Sequence, residues 1–338
     1  MVNPRPIRDK VRDKVIVDCA GARMGGALRL LGELDDYLAR RPSPGVRVVG
    51  RGHQLSPAWL ARRERIGRHQ RAIALNNVSF VVTRGERWAL LRSALHFLSA
   101  DEERQFHFPR RFAHSIPVVR ACAQRADVLV VPSTEMADRV TSIYPHLSSR
   151  IVVRMHPLSP PSPRPPEARD RCQILCPVFF SSSYKPMGHL LRLVDQAASA
   201  ISTDLAESIE IIITASKREA EAEDLLGSKH LRFVGRLTPQ QLAHFQHGCR
   251  AIIYPTRTES FGYPLAEARL ARVPVIALDS QRAREVAGPA LVPYQRDDST
   301  LIAEAMHDAL RTVPSGERHN PFDPDDYFDW LLNKTDIG

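Results

Sequence analysis

The sequence predicts an α/β protein made of two doubly wound, Rossmann-like domains that face a cleft. Three observations support this prediction. The 338 residues are more than one compact core usually holds. A proline-rich segment divides the chain, and short apolar strands alternate with helical stretches on both sides of it. Such alternation predicts parallel sheets that are covered on both faces and bind ligands at the carboxyl ends of their strands.

The proline-rich segment covers residues 156–171 and has prolines at 157, 160, 161, 163, 165 and 166. Prolines at this density exclude a regular helix or a central strand and favour a semi-rigid linker. We therefore predict a first domain over 1–158, a linker over 159–171 and a second domain over 172–315. The C-terminal segment, 316–338, is short enough to be an appendage that can cross back to the first domain.

Apolar runs and helix signals give the elements of each domain. In the first domain we predict strands at 14–18, 46–49, 72–75, 88–91 and 128–132, and helices at 27–39 and 133–143. In the second domain we predict strands at 173–180, 209–214, 231–234, 251–254 and 273–278, and helices at 189–202, 218–226, 239–247, 264–272 and 300–313.

Composition restricts the class of protein. The 43% hydrophobic and 25% charged residues are typical of a globular protein, and we find neither an 18-residue apolar run nor a secretory leader. Five scattered cysteines argue against a disulfide framework and fit the reducing cytoplasm. The net charge of +9 favours an anionic partner, which could be a nucleotide, a nucleic acid or an acidic membrane face.

A basic amphipathic helix is predicted over Ser56–His69, with Pro57 in its first turn. Its arginines could bind anionic lipid at the cytoplasmic membrane face, which would make the protein peripheral. The simpler interpretation, which we favour, is a surface helix packed through Trp59 and Leu60.

The segment 251–279 carries the chemistry, because it reads as strand, loop, helix and strand. Pro264 belongs in the first turn of the helix, so the preceding loop directs free backbone N–H groups and a positive helix end outward, where they can bind an anion. Gly262 allows a ligand to approach the backbone.

Glu259 and Glu267 are carboxylates that can accept hydrogen bonds from vicinal hydroxyls. A diphosphate between two diol-bearing rings describes a nucleotide sugar. Two glutamates alone could equally be a helix-dipole partner and a solvated loop residue.

The complete string resembles the family four retaining glycosyltransferases, whose signature is Glu, seven residues and Glu, with Phe-Gly-x-Pro inside. The matching positions are Glu259, Phe261, Gly262, Pro264, Glu267, Pro274–Ala277 and Glu285–Val286. Arg272 departs from the pattern, since the family usually has glycine there. The resemblance implies the GT-B type of the predicted fold.

The resemblance also implies roles for these residues. Glu259 would hold hydroxyls of the transferred sugar, and Glu267 would hold the ribose diol. The backbone at Phe261, Gly262 and Tyr263 would contact phosphate or sugar. Lys185 matches the family lysine that neutralises the donor diphosphate, so Lys185 and Glu259 are the predicted catalytic residues.

The family arginine a few residues before that lysine is absent. A leaving group that develops negative charge needs a cation or fixed dipoles, and Arg23, Arg92 and Arg257 are the candidates to supply the charge. Arg236, at the end of a strand, could stack on the base or be solvated.

Two further groups are predicted in the first domain. Gly25 and Gly26 lie in a glycine turn that matches the family loop facing the donor phosphate. Arg92 and His96 follow a strand where relatives place polar residues near the acceptor, although a histidine among apolar residues is more often structural. The resemblance implies that the leaving phosphate takes the acceptor proton, so no protein base is required. No metal or other cofactor is expected, because the single Asp-x-Asp string, Asp323–Asp325, lies outside the predicted cleft.

The favoured function is transfer of a sugar, with retention, from a nucleotide-sugar donor to an unknown acceptor, without a nucleic-acid partner. One alternative is a nucleotide-sugar epimerase or phosphorylase on the same fold. The other is a protein that binds glycan or nucleic acid through its basic surface and catalyses nothing.

Overall fold

The computed structural model describes residues 15–65, 69–161, 170–178 and 187–332. The first domain contains β1 (Val15–Asp18), α1 (Gly25–Arg40), β2 (Val46–Val49), α2 (Pro57–Arg63), β3 (Arg71–Ala74), β4 (Glu86–Leu90), α3 (Ala100–Gln105), α4 (Arg110–Ala123), β5 (Val128–Val131), α5 (Thr134–Ile143) and β6 (Ile151–Val153). Its six strands form a parallel sheet in the order β2-β1-β3-β4-β5-β6.

The second domain contains β7 (Asp170–Cys176), α6 (Gly188–Leu205), β8 (Glu210–Ile213), α7 (Lys217–Ala222), β9 (Leu231–Phe233), α8 (Pro239–Gly248), β10 (Cys249–Tyr254), α9 (Tyr263–Ala271), β11 (Val275–Leu278), α10 (Gln281–Ala287), β12 (Leu291–Tyr294) and α11 (Ser299–Arg311). Its sheet is also parallel, in the order β12-β11-β10-β7-β8-β9. In both sheets the strand order reverses beside the first strand, which is where a doubly wound sheet opens a crevice for ligands.

The last helix, α12 (Pro324–Leu332), packs on the first domain although it follows the second in the chain. Phe328 is fully buried and lies 5.3 Å from the Tyr37 ring of α1. The Tyr37 hydroxyl donates a hydrogen bond to Asp329, and Arg71 of β3 donates to the carbonyl of Leu331. The chain therefore crosses between the domains twice.

The helix predicted over Ser56–His69 is observed as α2 over Pro57–Arg63, and residues 66–68 lie outside the described ranges. Contacts of α2 show why it packs against the sheet. Ser56 caps the helix by accepting a hydrogen bond from the Trp59 amide, and Trp59 is buried. Arg63 is 2% exposed and donates to Asp18 at 2.6 Å, to the Val78 carbonyl at 2.8 Å and to the Ser79 carbonyl at 2.6 Å. Its charge is therefore internal and unavailable to lipid, whereas Arg62 and Arg65 stay exposed.

None of the helices within the described ranges is long and apolar enough to cross a membrane.

Candidate active site

The loop between β10 and α9 forms the centre of the candidate site. Gly262 is the N-cap of α9 and has φ 88° and ψ 74°, a left-handed conformation that favours glycine. A Cβ at this position would lie 3.2 Å from both Tyr254 Cε1 and Leu265 Cδ1. No side chain caps α9. Pro264 has no N–H, and the Leu265 amide donates to the Gly262 carbonyl at 2.9 Å. The Tyr263 amide and the positive end of the helix are therefore the groups that α9 offers to an anion.

Glu259 is half-buried in this loop. The Tyr254 hydroxyl lies 3.4 Å from one carboxylate oxygen, and the Ser260 amide donates to the other at 3.2 Å. Burial and the nearby Glu259 charge raise the pKa of Tyr254, so the phenol stays protonated and can donate. These contacts hold the carboxylate within the loop between β10 and α9.

Glu267 lies one turn into α9 and receives a hydrogen bond from the Gln246 amide at 2.7 Å. Burial raises the pKa of Glu267, while the charge of Arg29 and the Gln246 bond act in the opposite direction. Arg29 belongs to α1 of the first domain and lies 3.5 Å from Glu33. The structure thus places Glu267 beside the first helix of the opposite domain.

Ser260 fastens the loop to the first domain, a role that the sequence did not indicate. Its side chain is 3% exposed, and its hydroxyl donates to the Arg92 carbonyl at 2.6 Å. Its own carbonyl accepts a hydrogen bond from the Ser133 hydroxyl at 2.8 Å. Ser133 also caps α5 by accepting from the Met136 amide. A serine inside the signature string joins the ends of β4 and β5 to the candidate site.

A second link joins α10 to the start of α5. Glu285 accepts hydrogen bonds from the Thr134 amide at 2.8 Å and the Thr134 hydroxyl at 3.2 Å. A carboxylate at the first turn satisfies an unpaired N–H group and complements the helix dipole. Glu285 therefore connects α10 of the second domain to α5 of the first.

Arg92 directly follows β4 and lies at the junction of the domains. Its amide donates to the Asn77 side chain, and its carbonyl accepts from Ser260. Burial lowers the pKa of its guanidinium, and its charge acts on Tyr263 and Tyr327. Within the described ranges its side chain forms no salt bridge, and Nε has no hydrogen-bond partner.

Three neutral polar groups surround this arginine. His156 is 3% exposed, and burial together with the Arg92 charge lowers its pKa to about 3. Its ring lies 5.2 Å from Phe261 and 6.0 Å from Tyr263. His156 Nδ1 and the hydroxyls of Tyr263 and Tyr327 are buried without a partner among the described residues. The junction therefore combines the Arg92 cation with several polar atoms that have no partner among the described residues.

Gly25 and Gly26 open α1, whose N-cap, Met24, makes no side-chain capping bond. Gly25 has φ 56° and no neighbour within 4 Å of an added Cβ, so it faces open space. Gly26 meets the second domain, because its Cβ would lie 2.9 Å from Tyr263 Cε2. The uncapped ends of α1 and α9 thus approach each other across the cleft.

His96 packs on α4. Its side chain is 7% exposed, its Nε2 lies 3.1 Å from the Ser115 hydroxyl, and its ring lies 4.8 Å from Phe112. Burial and the Arg120 charge lower its pKa to about 4. These contacts support α4, and they do not bring His96 to the Ser260 loop where Arg92 lies.

Lys185 and three arginines complete the set of predicted residues. Lys185 falls outside the described residues. Arg236 follows β9, is more than half exposed and lies 3.4 Å from Glu219. Arg257 pairs with Asp297, and Arg23 is exposed and donates to the Gly52 carbonyl. In the described part of the chain no cluster of His, Cys, Asp or Glu has metal-site geometry.

Comparison with known proteins bears on this geometry. Residues 196–319 match the sequence model of the family described as "Glycosyl transferases group 1". This segment begins within α6 and includes Glu259 and Glu267. No curated protein sequence matches the chain.

Solved structures match over nearly the whole chain. WaaG, a glycosyltransferase involved in lipopolysaccharide biosynthesis, is 13% identical with a TM-score of 0.62, and the match covers 96% of both chains. Anabaena Alr3699/HepE, in complex with UDP and glucose, is 12% identical with a TM-score of 0.56, and the match covers 96% of this chain and all of the other. UDP-GlcNAc 2-epimerase from Methanocaldococcus jannaschii is 10% identical with a TM-score of 0.53, over 94% of this chain and 98% of the other.

At these identities the likeness shows the fold, and an epimerase shares it with the transferases. The predicted architecture of two Rossmann-like domains is confirmed, and the family match over 196–319 supports the predicted enzyme class, a glycosyltransferase.

Proposed function

We propose that the protein transfers a sugar from a nucleotide-sugar donor to an acceptor, with retention at the anomeric carbon, as the family four glycosyltransferases do. One observation carries the proposal: the uncapped α9 begins at a left-handed Gly262, with a carboxylate on each side at Glu259 and Glu267. This arrangement offers the Tyr263 amide and the positive helix end to a diphosphate and acceptors to two diols.

Each group has a place in the reaction. Glu267 would bind the ribose, Glu259 the hydroxyls of the transferred sugar, and the backbone of 261–263 together with Lys185 the diphosphate. The bond between the anomeric carbon and the diphosphate oxygen breaks, and its electron pair leaves with the nucleoside diphosphate. The acceptor oxygen bonds to the same carbon from the same face, and its proton passes to the leaving phosphate. The protein then serves mainly to position the substrates and to stabilise charge.

The solved neighbours suggest where to begin. The Anabaena protein was crystallised with UDP and glucose, so UDP-sugars are the first donors to test. The stacking of Arg236 on the base belongs to the same proposal. Transfer is proposed to need no divalent cation, and activity in excess chelator tests that part.

Epimerisation of a nucleotide sugar is the second candidate, because the Methanocaldococcus jannaschii protein with the same fold is an epimerase. The products distinguish the two reactions. A transferase releases nucleoside diphosphate, either by transfer or by slow hydrolysis of the donor. An epimerase leaves the nucleotide attached and inverts a stereocentre of the sugar. NMR spectra of the products decide between them.

Contact with an anionic membrane stays a prediction. It now depends on the exposed Arg62 and Arg65 and no longer on Arg63.

The experiment measures binding of a panel of UDP-, GDP- and ADP-sugars by calorimetry. We expect one donor to bind the wild type, and Glu267→Ala to weaken that donor by about 10- to 100-fold, since hydrogen bonds to a charged group contribute about 1.5–3 kcal/mol. Glu304→Ala, which removes an exposed glutamate of α11, is the matched control. If no donor binds, or if Glu267→Ala binds as tightly as the control, the proposed function is wrong.

A further inference from the structure

The proposed donor site has an unfilled requirement. A nucleoside diphosphate that leaves with an extra electron pair needs positive charge close to its phosphates. The sequence supplies Lys185 but no arginine in the residues before it. A second cation must then come from another part of the chain or be replaced by dipoles.

Three arginines were candidates, and the structure separates them. Arg257 is neutralised by its salt bridge with Asp297. Arg23 is exposed and held to the Gly52 carbonyl, so water screens its charge. Arg92 differs from both, because the residue is half-buried, its Nε atom is fully buried, and its guanidinium pairs with no acidic group in the described ranges.

The main chain of Arg92 is fixed directly against the donor loop. Ser260, which follows Glu259 in the signature string, donates to the Arg92 carbonyl at 2.6 Å. On the other side, Asn77 accepts from the Arg92 amide and adopts a left-handed backbone with φ 67°. Among non-glycine residues, asparagine is one of the few that adopt this conformation readily.

The charge of the Arg92 side chain is felt at the start of α9. Its charge acts on Tyr263, the first residue of that helix, and on His156. The positive end of α9 and the guanidinium therefore contribute to the same region of the cleft. Both would attract a phosphate. In the protein alone, no side chain caps the helix, and the guanidinium has no acidic partner among the described residues.

The energetics of the junction also favour an anion. A buried cation without a counter-charge is costly, and burial accordingly lowers the pKa of Arg92. The groups beside it, His156, Tyr263 and Tyr327, are neutral and leave polar atoms unpaired. A phosphate bound at the guanidinium would supply the missing charge.

We propose that Arg92, from the first domain, binds the diphosphate of the nucleotide donor and takes the place of the arginine absent before Lys185. This inference rests on the proposed function. It makes the diphosphate a bridge between the domains, held by α9 on one side and by Arg92 on the other. Closure of the domains and stabilisation of the leaving group then depend on the same side chain.

The test compares phosphate-dependent binding in Arg92 variants. Arg92→Met keeps the length of the side chain but removes the charge. We measure the affinities for UDP, GDP and ADP and for the matching monophosphates, together with the thermal midpoint without ligand. For the nucleotide that binds the wild type, we expect Arg92→Met to weaken the diphosphate about 10- to 100-fold and the monophosphate clearly less. The midpoint without ligand should stay equal or rise, because an uncompensated buried charge is gone.

Arg87→Gln is the control, since Arg87 lies at the other end of β4 and pairs with Asp127. Arg92→Lys should keep most of the preference for diphosphate, and it carries the comparison if the methionine variant does not fold. If Arg92 were only a structural contact, Arg92→Met would lower the midpoint and weaken both nucleotides equally, and the inference would be overturned. If the wild type binds none of the nucleotides, the proposed function fails as well. If the wild type binds and Arg92→Met binds equally tightly, only the inference about Arg92 fails.

Discussion

The ionised carboxylate of Glu267 destabilises the protein without ligand and could be stabilised by a bound ligand. Burial raises its pKa, and among the described residues the charge of Arg29 and the Gln246 amide offset part of the cost of its ionised form. Because the folded pKa lies above the unfolded one, ionisation of Glu267 lowers stability as the pH rises through the folded pKa. Below the unfolded pKa the carboxyl is protonated in both states, and this cost is absent.

We predict that Glu267→Gln stabilises the protein without ligand at neutral pH and reduces nucleotide binding. The amide oxygen can still accept from Gln246, while the buried charge disappears. Thermal unfolding from pH 4 to pH 8 checks the sign, since the advantage of the variant should shrink as the pH falls. An advantage that is constant across this range, or a variant less stable at neutral pH, would contradict the assignment.

Arg272 shows what the sequence could and could not tell at the residue scale. It stands where the resembling family usually has glycine, which put the local turn in question. The structure keeps the turn, with Arg272 at φ 52° as the C-cap of α9. This conformation is one that glycine adopts freely, so the family preference has a backbone cause. The signature string predicted the glycine-led start of α9, but not Ser260, because a serine hydroxyl gives no sign in the sequence of a partner 168 residues away.

At the scale of elements, the strands and the helix that were not predicted from the sequence share local causes. Strand β12 contains Pro293, which lowers its strand signal but is tolerated because β12 lies at an edge. Strand β6 has only three residues. Helix α4 contains Pro117, which argues against a helix in any single-sequence pattern. The long apolar strands at the sheet centres, by contrast, were predicted to within a few residues. The predicted 173–180 strand is observed as Asp170–Cys176, and its last two positions lie outside the described residues.

Helix α2 differs from a freely exposed amphipathic helix because a buried ion pair connects it to β1. Asp18 is fully buried and accepts hydrogen bonds from Arg63, Trp59 and Asn76. We predict that Arg63→Gln lowers the free energy of unfolding by about 3–5 kcal/mol, because Asp18 is left with an unpaired buried charge.

Arg62→Gln is the matched control on the same helix and should change stability by less than about 0.5 kcal/mol, since Arg62 is exposed. Denaturant unfolding followed by tryptophan fluorescence measures both variants. Equal effects of the two substitutions would show that α2 is not held by this pair.

At the scale of the whole molecule, the candidate site exists only where the domains meet. Ser260 joins the donor loop to the first domain, Glu285 joins α10 to α5, and α12 returns to pack on α1. The fold class could be predicted from the alternation of strands and helices, but these contacts could not. They depend on how two sheets are oriented in space, and no periodicity within either domain encodes that orientation.

The contact between Gly26 and Tyr263 makes this orientation testable. A methyl group at position 26 would lie 2.9 Å from the Tyr263 ring, closer than Cβ atoms pack. The ring cannot easily turn aside, because Phe261 lies 5.2 Å from it and His156 stacks at 6.0 Å. The added methyl group must then separate α1 from the start of α9.

We predict that Gly26→Ala leaves both domains folded but weakens nucleotide-diphosphate binding and speeds hydrogen exchange in the peptides that cover 20–30 and 258–266. Gly32→Ala is the control on the same helix, because its Cβ meets no atom within 4 Å. That substitution should slow exchange in α1, since alanine stabilises a helix by about 1 kcal/mol relative to glycine. If the two variants bind and exchange alike, the domains do not close through this contact, and the approach of the two helix ends is not part of the donor site.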